Sequence, residues 1–133
     1  MAVGDVNGDG KPDLVGSVAL GLAIFLNDGT GKLGSSTCLF SPENDDNGGG
    51  IPLIADLNGD GIVDVTWATL GDAAIFLGEG SGKFAAPIYF GIGSEPEGIF
   101  ALDLHGQNPT KGTPDIVEVD ATGVLFTLIN RTK

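Results

Sequence analysis

The sequence predicts an all-β array of four-stranded antiparallel sheets, the blades of a β-propeller, with about three repeats in 133 residues. Three observations predict it. A nine-residue cassette occurs twice, as Asp5-Val6-Asn7-Gly8-Asp9-Gly10-Lys11-Pro12-Asp13 and as Asp56-Leu57-Asn58-Gly59-Asp60-Gly61-Ile62-Val63-Asp64. The flanking segments repeat with it, and periods of about 40 to 50 residues built from short strands and glycine turns belong to propellers and other repeat arrays. The chain also carries 23 glycines, and its motifs sit among Val, Ile, Phe and Thr instead of stretches of helix formers.

Each repeat has the same parts in the same order. After the cassette comes an apolar run, Leu14-Val15 or Val65-Thr66-Trp67. A second run follows, Ala23-Ile24-Phe25-Leu26 or Ala74-Ile75-Phe76-Leu77, and then a glycine turn ending in Gly31-Lys32-Leu33 or Gly82-Lys83-Phe84. A decayed third copy starts at Asp103, with Pro114-Asp115-Ile116-Val117 and Val124 to Asn130. No window keeps apolar residues at helical spacing for three turns. Ala19 to Leu26 comes closest, but Gly21 interrupts it and Asn27-Asp28-Gly29 ends it.

The middle repeat predicts strands at Ile51 to Leu57, Val63 to Thr69, Ala73 to Leu77 and Ala85 to Phe90, the four that a blade needs. Only Met1 to Asp5 precedes the first cassette, so the first leading strand reads as clipped. The third copy lacks a last strand. One whole blade between two incomplete ones is the expectation, in a single unit over 1–133 with repeats at about 1–50, 51–97 and 98–133. Propellers close with about four to eight blades. The ring is therefore incomplete, or is completed by assembly of copies.

The cassettes carry the chemistry. Oxygen side chains stand at positions 1, 3, 5 and 9, with glycine at 6: Asp5, Asn7, Asp9 and Asp13, then Asp56, Asn58, Asp60 and Asp64. Three carboxylates this close repel one another unless a cation lies among them. Calcium takes about six to eight oxygens, and a tight loop delivers them from alternating positions. The EF-hand version of such a loop requires a carboxylate at position 12. Gly16 and Trp67 stand there, and flanking helices are missing.

The cassette, the strand after it, Ile-Phe-Leu-Asn or Ile-Phe-Leu-Gly, and the Gly-Lys turn together resemble the FG-GAP/VCBS repeats of integrin α-subunit-type β-propellers. Phe90-Gly91, with Gly93 and Pro96 after it, resembles the signature that names the repeat. The resemblance covers essentially the whole chain. It implies two structural Ca²⁺ sites. Asp5, Asn7, Asp9, Asp13 and the Lys11 carbonyl would hold one; Asp56, Asn58, Asp60, Asp64 and the Ile62 carbonyl would hold the other. In the third loop His105 replaces Asn, Gln107 replaces the central Asp, and four extra residues precede Asp115, so calcium is not expected there. The resemblance also implies secretion or display at the cell surface, with roles such as adhesion.

Charge and composition exclude several classes. Six Lys and Arg against 18 Asp and Glu leave a net charge of −12, and two calcium ions would bring it to about −8. Such a module repels nucleic-acid phosphates and anionic membranes. No run of roughly 18 apolar residues exists, so no membrane insertion is expected, and Met1-Ala2-Val3-Gly4 is no signal peptide. The acidic stretch Glu43 to Asn47 before Gly48-Gly49-Gly50 reads as a solvated loop, and Asn130-Arg131-Thr132 matches a glycosylation sequon. Cys38, the single cysteine, reads as a small core residue in a strand, and Trp67 as blade core instead of a sugar-stacking platform.

No catalytic residues are predicted. His105 reads as a turn residue, no Gly-x-Ser-x-Gly elbow is present, and the Gly-Lys turns lack the Ser or Thr and the leading glycine of a phosphate loop. The expected function is a non-catalytic, calcium-binding propeller module for extracellular recognition of a protein or glycan partner. The alternative is a scaffold segment of a larger secreted enzyme or adhesin with catalysis elsewhere.

Overall fold

Strand pairing in the computed structural model follows the repeat. The structure describes residues 1–40, 50–93, 95–104 and 113–130. The first sheet is β1 (Ala2–Gly4), β2 (Asp13–Val18), β3 (Gly21–Asn27) and β4 (Leu33–Phe40), hydrogen-bonded in that order. The second contains β5 (Ile51–Ala55), β6 (Asp64–Ala68), β7 (Asp72–Phe76) and, after a small hairpin of β8 (Gly78–Gly80) and β9 (Lys83–Phe84), β10 (Ile88–Gly91). The third is β11 (Pro96–Leu102), β12 (Asp115–Asp120) and β13 (Leu125–Leu128). Every pair is antiparallel, and among the described residues there is no helix.

One expectation needs correction. The first blade is not incomplete: its leading strand is short, three residues against five in β5, yet Ala2, Val3 and Gly4 pair with Val15, Leu14 and Asp13 and complete a four-stranded sheet. Three residues suffice because the inner strand needs only to cover the first half of β2 before the chain turns into the cassette. Among the described residues there are thus two four-stranded blades and a third of three strands. Boundaries shift for local reasons. Strand β5 stops at Ala55 because the Asp56 side chain is already committed to the loop, where it accepts from Gly59. Strand β10 starts after Pro87, which has no N–H to give a ladder.

Strand alternation decides what each blade buries. Val15, Leu22 and Ile24 of the first blade meet Val65, Trp67, Ala74 and Phe76 of the second, and the four large members among them are worth on the order of 2 kcal/mol each when buried. The opposite face of the second blade, through Ala68 and Ile75, meets Ile99 and Ile116 of the third. The first strands lie side by side, with β5 between β1 and β11, so the blades fan out from them.

The outermost faces stay uncovered. On the third sheet Phe100, Leu102 and Leu125 are 55%, 40% and 62% exposed, and Val3 and Val18 are exposed on the first. Cys38 belongs to that outer face too. It pairs with Ala23 on the edge strand and is exposed, not a core residue as expected, because the neighbouring Leu39 takes the inward position. Trp67 is fully buried, which leaves no face for a sugar. No helix among the described residues is long and apolar enough to cross a membrane.

Candidate functional site

The two cassettes fold into the same loop, each joining the first strand of its blade to the second. Their shape is set by glycines at positions 4 and 6, with φ of 79° and 82° at Gly8 and Gly10, and 79° and 85° at Gly59 and Gly61. An L side chain at position 6 would be strained even where space is open, as it is at Gly10 and Gly61.

Acidic side chains then tie the loop to its own backbone. Asp5 accepts from the amides of Gly8 (2.8 Å), Asp9 (3.1 Å) and Gly10 (2.7 Å). Asn7 Oδ1 accepts from Asp9 N at 2.9 Å, and Asp9 Oδ1 accepts from Lys11 N at 2.9 Å. The second loop repeats this. Asp56 accepts from Gly59 (2.7 Å) and Gly61 (2.9 Å), Asn58 Oδ1 from Asp60 N (2.9 Å), and Asp60 Oδ1 from Ile62 N (2.7 Å). Asn7 and Asn58 also donate through Nδ2 to Asp9 and Asp60, at 3.3 and 2.9 Å. In the first loop positions 1, 3 and 5 are joined in one network through the Asp9 amide, whereas in the second Asp56 holds the two glycine amides and Asn58 and Asp60 pair with each other.

Position 9 behaves differently. Asp13 and Asp64 are buried and act as clamps. Asp13 accepts from Val6 N (3.0 Å) at the loop entrance and from Asn27 N (2.8 Å) at the end of β3. Asp64 accepts from Leu57 N and Gly78 N, both at 2.8 Å. The decayed third repeat keeps this clamp although its loop has lost the other ligands: Asp115 accepts from Leu104 N (3.1 Å) and Asn130 N (2.7 Å). The sequence motif records position 9 as one more oxygen; its backbone role becomes visible only when β3, 14 residues downstream, is seen to return to it.

The electrostatics follow. Burial pushes the Asp64 carboxyl up, against the two amides that hold it down, and the Asp60 and Asp56 charges raise it further. Burial also acts upward on Asp9, but the Lys11 amide, Asn7 and the Lys11 ammonium at 3.3 Å outweigh it and leave Asp9 below its usual value. Among the described residues, no three His, Cys, Asp or Glu side chains converge as a metal cluster. The Lys11 and Ile62 positions carry their backbone amides into the network, and the Lys11 ammonium lies on Asp9. His105 and the acidic stretch at 43–47 lie outside the described residues, as does most of the sequon.

Between the first two blades, a cleft of about 630 Å³ opens beside the first loop, lined by Asp5, Asn7 and Gly8 on one side and by Ile54, Ile62 and Val63 on the other. Spacing along the chain gave no sign of it, because it arises where one blade's loop faces the next blade. A second pocket of about 310 Å³, mainly apolar, lies between the second and third blades near Asn58 and Asn130.

Comparison with known proteins agrees with this repeated geometry. The profile of the FG-GAP-like repeat matches residues 5–67 and again 56–106. The chain belongs to the FG-GAP-like repeat family. Each match begins at position 1 of a cassette, so the family unit is the loop with the strands it joins. Among solved structures, the chain is similar to a lectin of Agrocybe aegerita, from work on the specific recognition of non-reducing terminal N-acetylglucosamine. The TM-score is 0.67 at 23% identity, over 98% of this chain and 35% of the lectin. The FG-GAP chain thus spans about a third of the length of that protein, and shares its fold. No curated protein sequence matches.

Proposed function

We propose that this chain is a non-catalytic, calcium-binding propeller module that recognises an extracellular carbohydrate or protein. One observation carries the reading: an oxygen-rich FG-GAP loop stands at the edge of an inter-blade cleft, in a fold that runs along 98% of the chain with a lectin. The cleft pairs Asp5 and Asn7 with the apolar Ile62 and Val63. A sugar ring has the matching halves, hydroxyls at its edge and C–H groups on its face.

The donor set fits calcium in its chemistry. Asp5, Asn7, Asp9, Asp13 and the Lys11 carbonyl offer oxygen only, as do Asp56, Asn58, Asp60, Asp64 and the Ile62 carbonyl, and a hard divalent ion prefers such ligands. Each carboxylate oxygen has two lone pairs, so an amide and an ion can share it. The repulsion of Asp64 by Asp60 and Asp56 is the charge that an ion would neutralise. Bound there, calcium supplies cohesion to the loop and no reaction step.

The exposed Phe100, Leu102 and Leu125 on the third blade, and Val3 and Val18 on the first, support a ring completed by further blades, supplied by a second copy of the chain. Light scattering of the protein with calcium then gives a dimer mass.

A glycan array with and without EGTA tests the recognition reading. Binding to glycans with terminal N-acetylglucosamine, reduced by EGTA and by Asn7→Ala, is the expected result. No glycan bound while the protein binds calcium in calorimetry would leave the scaffold alternative, in which these blades support activity located elsewhere.

A further inference from the structure

The repeat provides its own internal comparison for the two layers between blades. In the first layer, Trp67 pairs with Ala74 across strands and donates from Nε1 to Ser17 Oγ of the facing sheet. In the third blade the corresponding cross-strand pair is Glu118 with Phe126. The residue of the second blade that corresponds to Ser17, four after the buried cassette aspartate, is Ala68. A satisfied indole has thus been exchanged for a carboxylate, and its hydroxyl partner for a methyl group.

Glu118 is only 1% exposed, and its Oε1 has no hydrogen-bond partner. Its other oxygen accepts a long bond from Gly93 N, 3.3 Å, which is no match for a buried full charge. Thr66, which replaces Val15 of the first layer, is also fully buried, with Oγ1 unsatisfied. Unpaired buried polar atoms are rare in folded proteins. Of the two, the Glu118 carboxylate is the one that lines an open space, and it marks the place for a guest.

Space for one is present. A cavity of about 70 Å³, open to solvent, lies against Glu118 and Phe126, with Gly91, Ile92, Ile116, Thr127 and Leu128 completing its wall. A Cβ on Gly93 would come within 2.8 Å of Glu118 Oε2 and 2.7 Å of the Phe126 ring, so the backbone closes over the carboxylate as tightly as glycine permits. We propose that this cavity binds a primary ammonium group, with Glu118 as its counter-charge and the Phe126 ring beside it. A carboxylate with an adjacent aromatic ring selects an organic cation. The cavity is too small for a bulky one, and the net charge of −12 draws cations to it. The site is independent of the calcium loops and of the glycan cleft.

Methylammonium chloride is the probe, with equal sodium chloride and tetramethylammonium chloride as controls, at fixed calcium and neutral pH. Methylammonium at about ten times its dissociation constant raises the melting temperature by roughly 4 °C over sodium. The rise disappears in Glu118→Gln, which keeps the side-chain shape, and the half-saturating concentration increases several-fold in Phe126→Leu. An equal rise with sodium or tetramethylammonium, or a rise that survives in Glu118→Gln, overturns the proposal. Titration of the Glu118 carboxyl ¹³C resonance with methylammonium gives a second readout, and a resonance that does not move overturns it as well.

Discussion

Trp67 Nε1 donates to Ser17 Oγ at 3.0 Å, joining two blades through residues 50 apart in the chain. The indole fills the layer between the sheets and its one polar atom is satisfied there, so packing and hydrogen bonding specify the same alignment. Ser17→Ala leaves that N–H without its partner and costs about 1 kcal/mol, whereas Trp67→Ala removes the core of the layer and costs about 3–5 kcal/mol. Urea unfolding measures both. Equal losses would mean that the hydrogen bond, not the ring, holds the layer.

The buried clamps are the next most sensitive positions. Asp64→Ala strands the amides of Leu57 and Gly78 together, a loss of about 3 kcal/mol. Asp115→Ala is expected to cost a similar amount, although its loop lacks the other cassette oxygens. If Asp115→Ala proves neutral, the clamp is a by-product of metal binding and not an element of the blade.

Chelation tests the proposed calcium sites apart from the clamps. Excess EGTA lowers the melting temperature of the protein, and Asp9→Ala with Asp60→Ala abolishes the response. An unchanged melt in EGTA would remove calcium from the account of these loops.

Glycine at position 6 carries a conformational requirement. Gly61→Ala, at φ 85°, costs about 1–2 kcal/mol, and Gly61→Asn costs less because Asn tolerates the left-handed region. Nothing lies within 4 Å of the added carbon, so a larger loss for Asn than for Ala would contradict a purely conformational origin.

The pH dependence has a defined sign. Burial, and then the Asp120 charge, raise the Glu118 carboxyl against the Gly93 amide that lowers it. A carboxyl raised in the folded state favours folding below its unfolded value, near 4.5, and that contribution is lost as pH rises through the higher folded value. Without an amine present, Glu118→Gln therefore gains on the wild type between about pH 4 and pH 7. Stability curves at the two pH values check this, and a constant difference would show that Glu118 titrates normally. Asp120 contributes the opposite slope. The Thr122 hydroxyl and the Val124 amide hold it low, so its contribution is lost only as pH falls through that lowered value.

Much of the fold is legible in the sequence. The repeat, its β character, the two loops and the buried Trp67 are local or periodic features, and each is encoded within a few residues: glycine where φ must be positive, oxygen at alternate loop positions, alternating apolar residues in strands. The short leading strand was legible, but not that it completes the blade, because pairing of Ala2 to Gly4 depends on β2, nine residues after its end, and not on its own length. Cys38 was misplaced because an apolar neighbourhood does not say which face of an edge strand meets the next blade.

By itself, the sequence determined that these residues form FG-GAP blades with two oxygen-rich loops, because cassette chemistry and strand alternation act over short range. Only the tertiary structure decided that Asp13, Asp64 and Asp115 grip the end of a returning strand, that a cleft opens beside Asp5 and Asn7, and that Glu118 lies where a neighbouring layer has tryptophan. Those facts depend on which blade faces meet and at what register. Contacts between residues many positions apart set both.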